Sequence, residues 1–189
     1  MRTFVLGALL AFALPVSAFA QVLTTNQAQR ELFNVRGSAI VVAQGLSGRD
    51  QTIAKTLVDL LEKQQGEPIR YYFSIAYSPA DGWASESLQS ANNFHSVAAA
   101  DAAAMRACNA AKSSGTCQVV ARVVPRGYEP KSLTMSVSAT DDFRKRFRRA
   151  SSPKAFAISP ASGAWGSGAS VEAAIRDCGV TDCKVVIQN

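Results

Sequence analysis

Two spacings of apolar positions run along the chain and predict strands alternating with helices. Alternating or β-branched runs predict strands at residues 38–44, 70–78, 83–87, 117–124 and 132–138. Apolar residues that recur every three or four positions predict helices at residues 51–65, 96–111 and 141–149. The polar residues 21–37 predict a loose arm with a helical turn near residues 28–33, so ordered structure is expected to begin at Ser38.

The last part of the chain, residues 155–187, contains the same alternation in a short form. A strand, a Pro/Gly turn, a strand near Trp165, a small helix and a Val-rich strand follow one another. The helix has a narrow apolar stripe formed by Val171, Ala174, Ile175 and Cys178. Residues 74–124 repeat this order with a longer helix.

The order of predicted elements indicates an α+β fold that is internally duplicated. Residues 38–124 read as β-α-β-β-α-β, and residues 132–189 read as the same six elements in shortened form, after a linker at residues 125–131. This order is typical of split β-α-β units, with an antiparallel or mixed sheet and helices on one face. The two repeats form either two separate units or one pseudo-symmetric sheet.

The first twenty residues have the pattern of a secretory signal peptide. Arg2 precedes an apolar run over residues 4–16, and a small-x-small pattern ends at Ala20, after which cleavage is expected. A retained anchor is the alternative. Removal of this segment lowers the formal charge from +6 to +5, because Arg2 is its only charged residue. No later stretch approaches spanning length, so we expect a soluble periplasmic or secreted protein.

Four cysteines are expected to form two disulfide bonds in an oxidising compartment. Cys108 and Cys178 each end a predicted helix on its core-facing stripe, and Cys117 and Cys183 each begin the following strand. Of the three possible connectivities, only Cys108–Cys117 with Cys178–Cys183 joins neighbours in both halves. The spacing does not match a structural zinc site, so no metal is expected.

An S-P-x-x-G-x-W-G turn, an alanine-rich helix ending in cysteine, and a C-K-V-V strand occur together over residues 155–187. This combination resembles a bacterial family of secreted proteins that is catalogued as a domain of unknown function. The resemblance is weaker over residues 74–124, where Trp83 is not followed by glycine. It implies export and paired cysteines, and it brings no activity or catalytic residue.

Candidate catalytic residues are few, and each has a structural interpretation. His95, the only histidine, lies at the polar entrance to a predicted helix, where solvated or capping positions are common. Asp81, Glu86 and Asp101 can supply a carboxylate pair for glycan hydrolysis, although a turn explains the first and a helix N-terminus the third. No phosphate-binding glycine loop is present, so we expect no cofactor.

A basic segment and two tryptophans are the candidate binding surfaces. The basic residues are Arg144, Lys145, Arg146, Arg148 and Arg149, interrupted by Phe143 and Phe147 on one helical face. They form either a solvated surface or a patch for an anionic partner such as headgroups, acidic glycan or acidic protein. Trp83 and Trp165 occupy similar places in the two halves and either cover a small core or contact a sugar or protein.

These patterns together predict an exported, non-enzymatic binding module of the cell envelope or extracellular space. Its expected partner is a protein or an anionic envelope component, and nucleic acid is not expected for an exported chain. A small envelope-directed hydrolase that uses carboxylates or His95 is one alternative. A secreted inhibitor or effector of another protein is the other. The patterns do not indicate an oligomeric state.

Overall fold

A computed structural model describes residues 21–189 as an α+β fold, which confirms the predicted class. Its helices are α1 (Thr25–Glu31), α2 (Gly48–Gln65), α3 (Val97–Ala111), α4 (Val137–Lys145) and α5 (Val171–Cys178). Its strands are β1 (Ser38–Val42), β2 (Phe73–Tyr77), β3 (Gln89–Ala91), β4 (Gln118–Pro125), β5 (Ala155–Ile158), β6 (Trp165–Gly168) and β7 (Lys184–Gln188). A 3-10 turn, Phe147–Arg149, follows α4. The predicted signal peptide lies outside the described residues.

The strands form two separate antiparallel sheets. The first has the order β1-β4-β2-β3 and the second has the order β6-β5-β7. Each sheet contains a β-β-α-β sequence, β2-β3-α3-β4 in the first and β5-β6-α5-β7 in the second. The last strand of each sequence pairs with its first strand. Both pairings shift register at corresponding places, between Ile75 and Ala76 and between Phe156 and Ala157.

Helices cover both faces of each sheet, which corrects the expectation of helices on one face. In β2, Phe73, Ile75 and Tyr77 pack against α2, whereas Ala76 packs against α3 on the opposite face. The second sheet follows the same rule, since Phe156 faces α1 and α4 whereas its alanine neighbours face α5. The reason is that β2 and β5 are buried along their whole length, so each sheet needs two covering layers.

Both predicted disulfide bonds are confirmed, with Cα separations of 6.1 Å for Cys108–Cys117 and 6.3 Å for Cys178–Cys183. Each bond ties the end of a helix to the strand that follows it. Three of the four stripe positions in α5 behave as predicted, but Ile175 is 39% exposed. The buried part of α5 is therefore narrow, with Ala174 and Cys178 fully covered.

Two predicted strands are wrong. The strand that pairs with β2 is Gln89–Ala91, because residues 79–88 form successive turns in which the Ser87 hydroxyl accepts the Ser78 N–H. Residues 132–136 have no regular secondary structure and pair with no strand among residues 21–189, and Ser136 caps α4, which begins at Val137. The second half therefore lacks the first of its six predicted elements.

The N-terminal arm is ordered, contrary to the expectation that structure begins at Ser38. Thr24 and Gln27 form a capping box at the start of α1. Leu23 makes a parallel bridge with Ile187 in β7, and the Asn189 side chain accepts hydrogen bonds from the Thr25 N–H and hydroxyl. Within residues 21–189, no helix combines the length and apolar character needed to cross a membrane.

Candidate functional site

His95 lies in the interior of the junction between the two halves, with 2% of its surface exposed. Its Nδ1 accepts the backbone N–H of Ser136 at 2.9 Å, which requires the tautomer with the proton on Nε2. Nε2 then donates to the Ala164 carbonyl at 2.8 Å. Burial lowers the pKa of His95 below its ordinary value of 6.5, so the ring is neutral at physiological pH.

The residues around His95 complete this junction. Asn93, at a φ of 61°, exchanges hydrogen bonds with Ser138 through both ends of its side-chain amide. A Cβ added to Gly163 would lie 2.1 Å from the Asn93 carbonyl oxygen, so the two halves approach closely at this point. The arrangement gives His95 a structural place, and both of its ring nitrogens are already engaged.

The candidate carboxylates do not converge on His95. Asp101 accepts a hydrogen bond from Ser74 and a bidentate contact from Arg122, with the Arg122 Nε 2.9 Å from Oδ1. Asp81 accepts hydrogen bonds from the Ser114 hydroxyl and from the backbone N–H groups of residues 113 and 114, and these hydrogen bonds lower its pKa. Glu86 is exposed, and the groove that contains His95 is lined by no carboxylate.

Both tryptophans make intramolecular contacts. The Trp83 ring stacks on Tyr77 with centroids 4.0 Å apart, and its Nε1 donates to Asp50. Trp165 stacks on Phe156 with centroids 5.6 Å apart, and its Nε1 donates to Ser138. Each indole therefore covers the large-residue face of its own sheet while remaining half-buried.

The predicted basic residues separate into two groups. Phe143 and Phe147 are buried against Phe156 and hold α4 and the 3-10 turn on the second sheet. Arg144 and Lys145 line a surface depression, whereas the remaining three basic residues do not; these are Arg146, Arg148 and Arg149. Arg146 pairs with Asp142 on its own helix, and the last two are exposed.

Two further arginines line this depression, which we call the basic depression. Its residues are Asn34, Val35, Arg36, Arg70, Asp141, Arg144 and Lys145, and its volume is about 480 Å³. Arg36 follows α1 and Arg70 precedes β2, so the cations come from three separated segments. Sequence reasoning missed both arginines, because isolated charges in loops carry no pattern that relates them to α4.

Contacts within the depression orient part of its charge. Arg144 Nη2 donates to the Leu32 carbonyl at 3.2 Å, and its Nε is buried without a hydrogen-bond partner among the described residues. Lys145 pairs with Asp141 at 2.5 Å. Arg36 and Arg70 are exposed and make no ion pair among residues 21–189. The depression thus combines four cations with one carboxylate, which favours an anion.

No group of three or more histidine, cysteine, aspartate or glutamate residues in the described range is arranged to hold a metal ion. No family model, curated protein or solved structure matches the chain. The resemblance of residues 155–187 to a secreted bacterial family therefore stays an expectation. Evidence for function comes from the geometry of this molecule alone.

Proposed function

We propose that this protein is an exported, non-enzymatic binding module that takes an anionic component of the cell envelope at the basic depression. The observation that carries the proposal is the convergence of Arg36, Arg70, Arg144 and Lys145 from three chain segments. Guanidinium groups bind phosphate and carboxylate groups through paired hydrogen bonds, so three of them suit an anionic polymer or headgroup.

The charge of the whole molecule supports the same class of ligand. The chain has a formal net charge of +6, and a positive surface raises the rate at which anionic partners are encountered. The Leu32 carbonyl holds the Arg144 guanidinium in place, and Asp141 limits where a second anion can sit. Two disulfide bonds are compatible with a location outside the cytoplasm.

A binding role is also supported by the state of the candidate catalytic groups. His95 uses both nitrogens within the fold, and Asp101 is held by Arg122. A general base must be free to take a proton from a substrate within hydrogen-bonding reach. These groups are better explained as parts of the scaffold that positions the depression.

Charge reversal at the depression tests the proposal. We expect Arg36→Glu with Arg70→Glu to weaken binding to phosphatidylglycerol vesicles and to soluble polyphosphate by at least about tenfold at low salt. Each substitution removes one charge-assisted contact to the anion. The matched control is Arg148→Glu with Arg149→Glu, which makes the same change of charge on exposed residues outside the depression.

Co-sedimentation and fluorescence titration measure both variants against the natural sequence. The control is expected to retain most of the affinity. Equal losses in the two variants would assign binding to overall charge, and absence of binding by the natural sequence would remove the depression from the proposal. Competition by polyphosphate for vesicle binding distinguishes the two sources: strong competition indicates a phosphorylated polymer, and vesicle binding that resists polyphosphate indicates a lipid headgroup.

A further inference from the structure

The second sheet has an open edge at the position where the first sheet has a strand. In the first sheet, β4 lies between β1 and β2. The strand at the same position in the second sheet is β7, which pairs with β5 on one side. On its other side, Leu23 bridges at Ile187 and donates its N–H to the Val186 carbonyl, and no described strand lies beside residues 184–185.

A segment without a strand partner lies on the other side of a groove from this edge. Residues 132–134 form one wall, residues 184–186 form the other, and the volume between them is about 630 Å³. Leu133 and Met135 are buried at 5% and 1% exposure, whereas Thr134 between them is half-buried. The segment therefore has the alternation of a strand, as its sequence predicts, but it has no strand to pair with.

The backbone of this segment is available for pairing. Within residues 21–189, the N–H and C=O groups of Leu133 and Thr134 make no hydrogen bond to the backbone or to a side chain. Backbone groups beside a buried side chain are normally paired, and an unpaired strand edge is a template for another strand. The backbone of Leu133 and Thr134 and the part of the β7 edge that Leu23 does not use therefore line the same groove.

The chemistry of the lining selects the occupant. Leu133, Ile158, Pro160, Val185 and Val186 supply an apolar surface, and the Ser132 and Thr134 hydroxyls add polar points. Lys184, at the start of β7, is the charged residue of this lining. An occupant with apolar side chains, backbone donors and acceptors on both edges, and one negative charge complements all of these features.

We propose that the groove binds an extended peptide as an added strand between residues 132–134 and β7, with its C-terminal carboxylate at Lys184. The peptide runs antiparallel to β7, because that direction brings its carboxyl end to the beginning of the strand, where Lys184 lies. Strand addition takes affinity from main-chain hydrogen bonds and specificity from alternate side chains. Leu23 limits the peptide at its amino end.

Selection from a library of random peptides displayed with free carboxyl termini tests this proposal on the exported, disulfide-bonded chain. We expect enrichment of sequences with alternating apolar residues. A synthetic copy of an enriched peptide should bind, and its C-terminal amide should bind at least about fivefold more weakly because the charge opposite Lys184 is lost. Lys184→Glu should weaken the free acid to a similar extent, whereas Lys55→Glu on the exposed face of α2 should not.

N-methylation of the peptide distinguishes strand insertion from other binding. Two versions are needed, each methylated at alternate residues so that the N–H donors of one edge are removed. Each is expected to bind about three- to tenfold more weakly, since at least one backbone hydrogen bond is lost on that edge. This change leaves the protein intact, so misfolding of a variant cannot produce the result.

Three outcomes would overturn the proposal. The first is that the library enriches no sequence. The second is that the amide and both N-methylated peptides bind as tightly as the unmodified peptide. The third is that only one of the two N-methylated peptides loses affinity. The last outcome would reduce the site to a single edge. Because Arg36→Glu with Arg70→Glu leaves this groove unchanged, peptide binding and anion binding at the basic depression can fail independently.

Discussion

His95 joins the two halves of the molecule through both nitrogens of a buried, neutral imidazole. A neutral ring in this position makes the folded state sensitive to acid, because a proton on Nδ1 would break the hydrogen bond from Ser136. The sequence alone predicted a solvated or capping position for this residue. Its partners are 41 and 69 residues away, so local pattern contains no signal for them.

The free energy of unfolding should fall as pH decreases below about 6.5. Burial lowers the pKa of His95 in the folded state, so the unfolded chain binds the proton more readily. The contribution of neutral His95 to the free energy of unfolding is complete above 6.5, the pKa of histidine in the unfolded chain. It is lost as pH falls from 6.5 toward the lower pKa of His95 in the folded protein. Urea unfolding at pH 7.5, 6.5 and 5.5 measures this effect.

The comparison for that experiment is His95→Gln. Loss of the two hydrogen bonds should destabilise the variant by about 1–3 kcal/mol at pH 7.5. Because His95 is the only histidine, the variant should lose most of the pH dependence between 7.5 and 5.5. Parallel pH profiles for the two proteins would show that His95 does not control acid sensitivity.

At the scale of elements, the features that could be predicted from sequence are those that depend on the spacing of nearby residues. Three of the four predicted stripe positions of α5 are covered, and the helix begins after the Ser170 cap and ends at the left-handed Gly179. The disulfide pairing follows from the same spacing. Residues 132–138 alternate as a strand should, yet pairing needs a neighbour from elsewhere in the chain, which the pattern cannot show.

The disulfide bond at the end of α5 should contribute strongly to the stability of this short helix. Cys178→Ala with Cys183→Ala removes a bond that spans five residues, and we expect a loss of about 2–3 kcal/mol. Since α5 has eight residues and a narrow buried stripe, its amide hydrogens should exchange much faster in this variant. Hydrogen-exchange mass spectrometry measures the change.

The corresponding pair, Cys108→Ala with Cys117→Ala, provides the control. The longer helix α3 buries four residues and is expected to keep more of its protection. If α5 exchanged at its original rate without its disulfide bond, burial of Ala174 and of the side chain at position 178 would account for its stability.

At the scale of the whole molecule, two sheets with separate cores are joined by polar contacts and by an apolar cluster in which Tyr71 and Tyr72 pack with Val137 of α4. The loop that contains Asn93 and His95 leaves the first sheet and contacts Ser136, Ser138 and Ala164 of the second half. Tyr128 adds ring contacts to Phe33 and Tyr72. The basic depression also depends on this arrangement, because Arg70 comes from the first half and Arg144 from the second.

We expect the two halves to unfold together. The chain has two tryptophans, and each reports on one sheet, so Trp83→Phe and Trp165→Phe give proteins with one fluorescent probe apiece. The urea midpoints of the two variants should differ only by the effect of each substitution on stability. For each variant, the unfolding transition measured by far-UV circular dichroism should coincide with the one measured by fluorescence. Separate transitions would show that the junction is too weak to couple the sheets.

Gly163→Ala should weaken this coupling. Its Cβ would meet the Asn93 carbonyl oxygen, so the junction must open, at a cost of about 1–3 kcal/mol. Gly48→Ala is the control, because a Cβ at that helical position meets nothing within 4 Å, and it should be neutral or slightly stabilising. An unchanged midpoint for Gly163→Ala would contradict the close approach of the halves.

Lys154 has 8% of its surface exposed, and its Nζ donates to the carbonyls of Phe147, Arg148 and Ala150 at 2.8–3.2 Å. An amine enclosed in this way is not accessible to an electrophile in solution. Acylating reagents should therefore label the exposed lysines of the intact protein and spare this amine. Modification of Lys154 would then be a chemical signature that the 3-10 turn has come away from the second sheet.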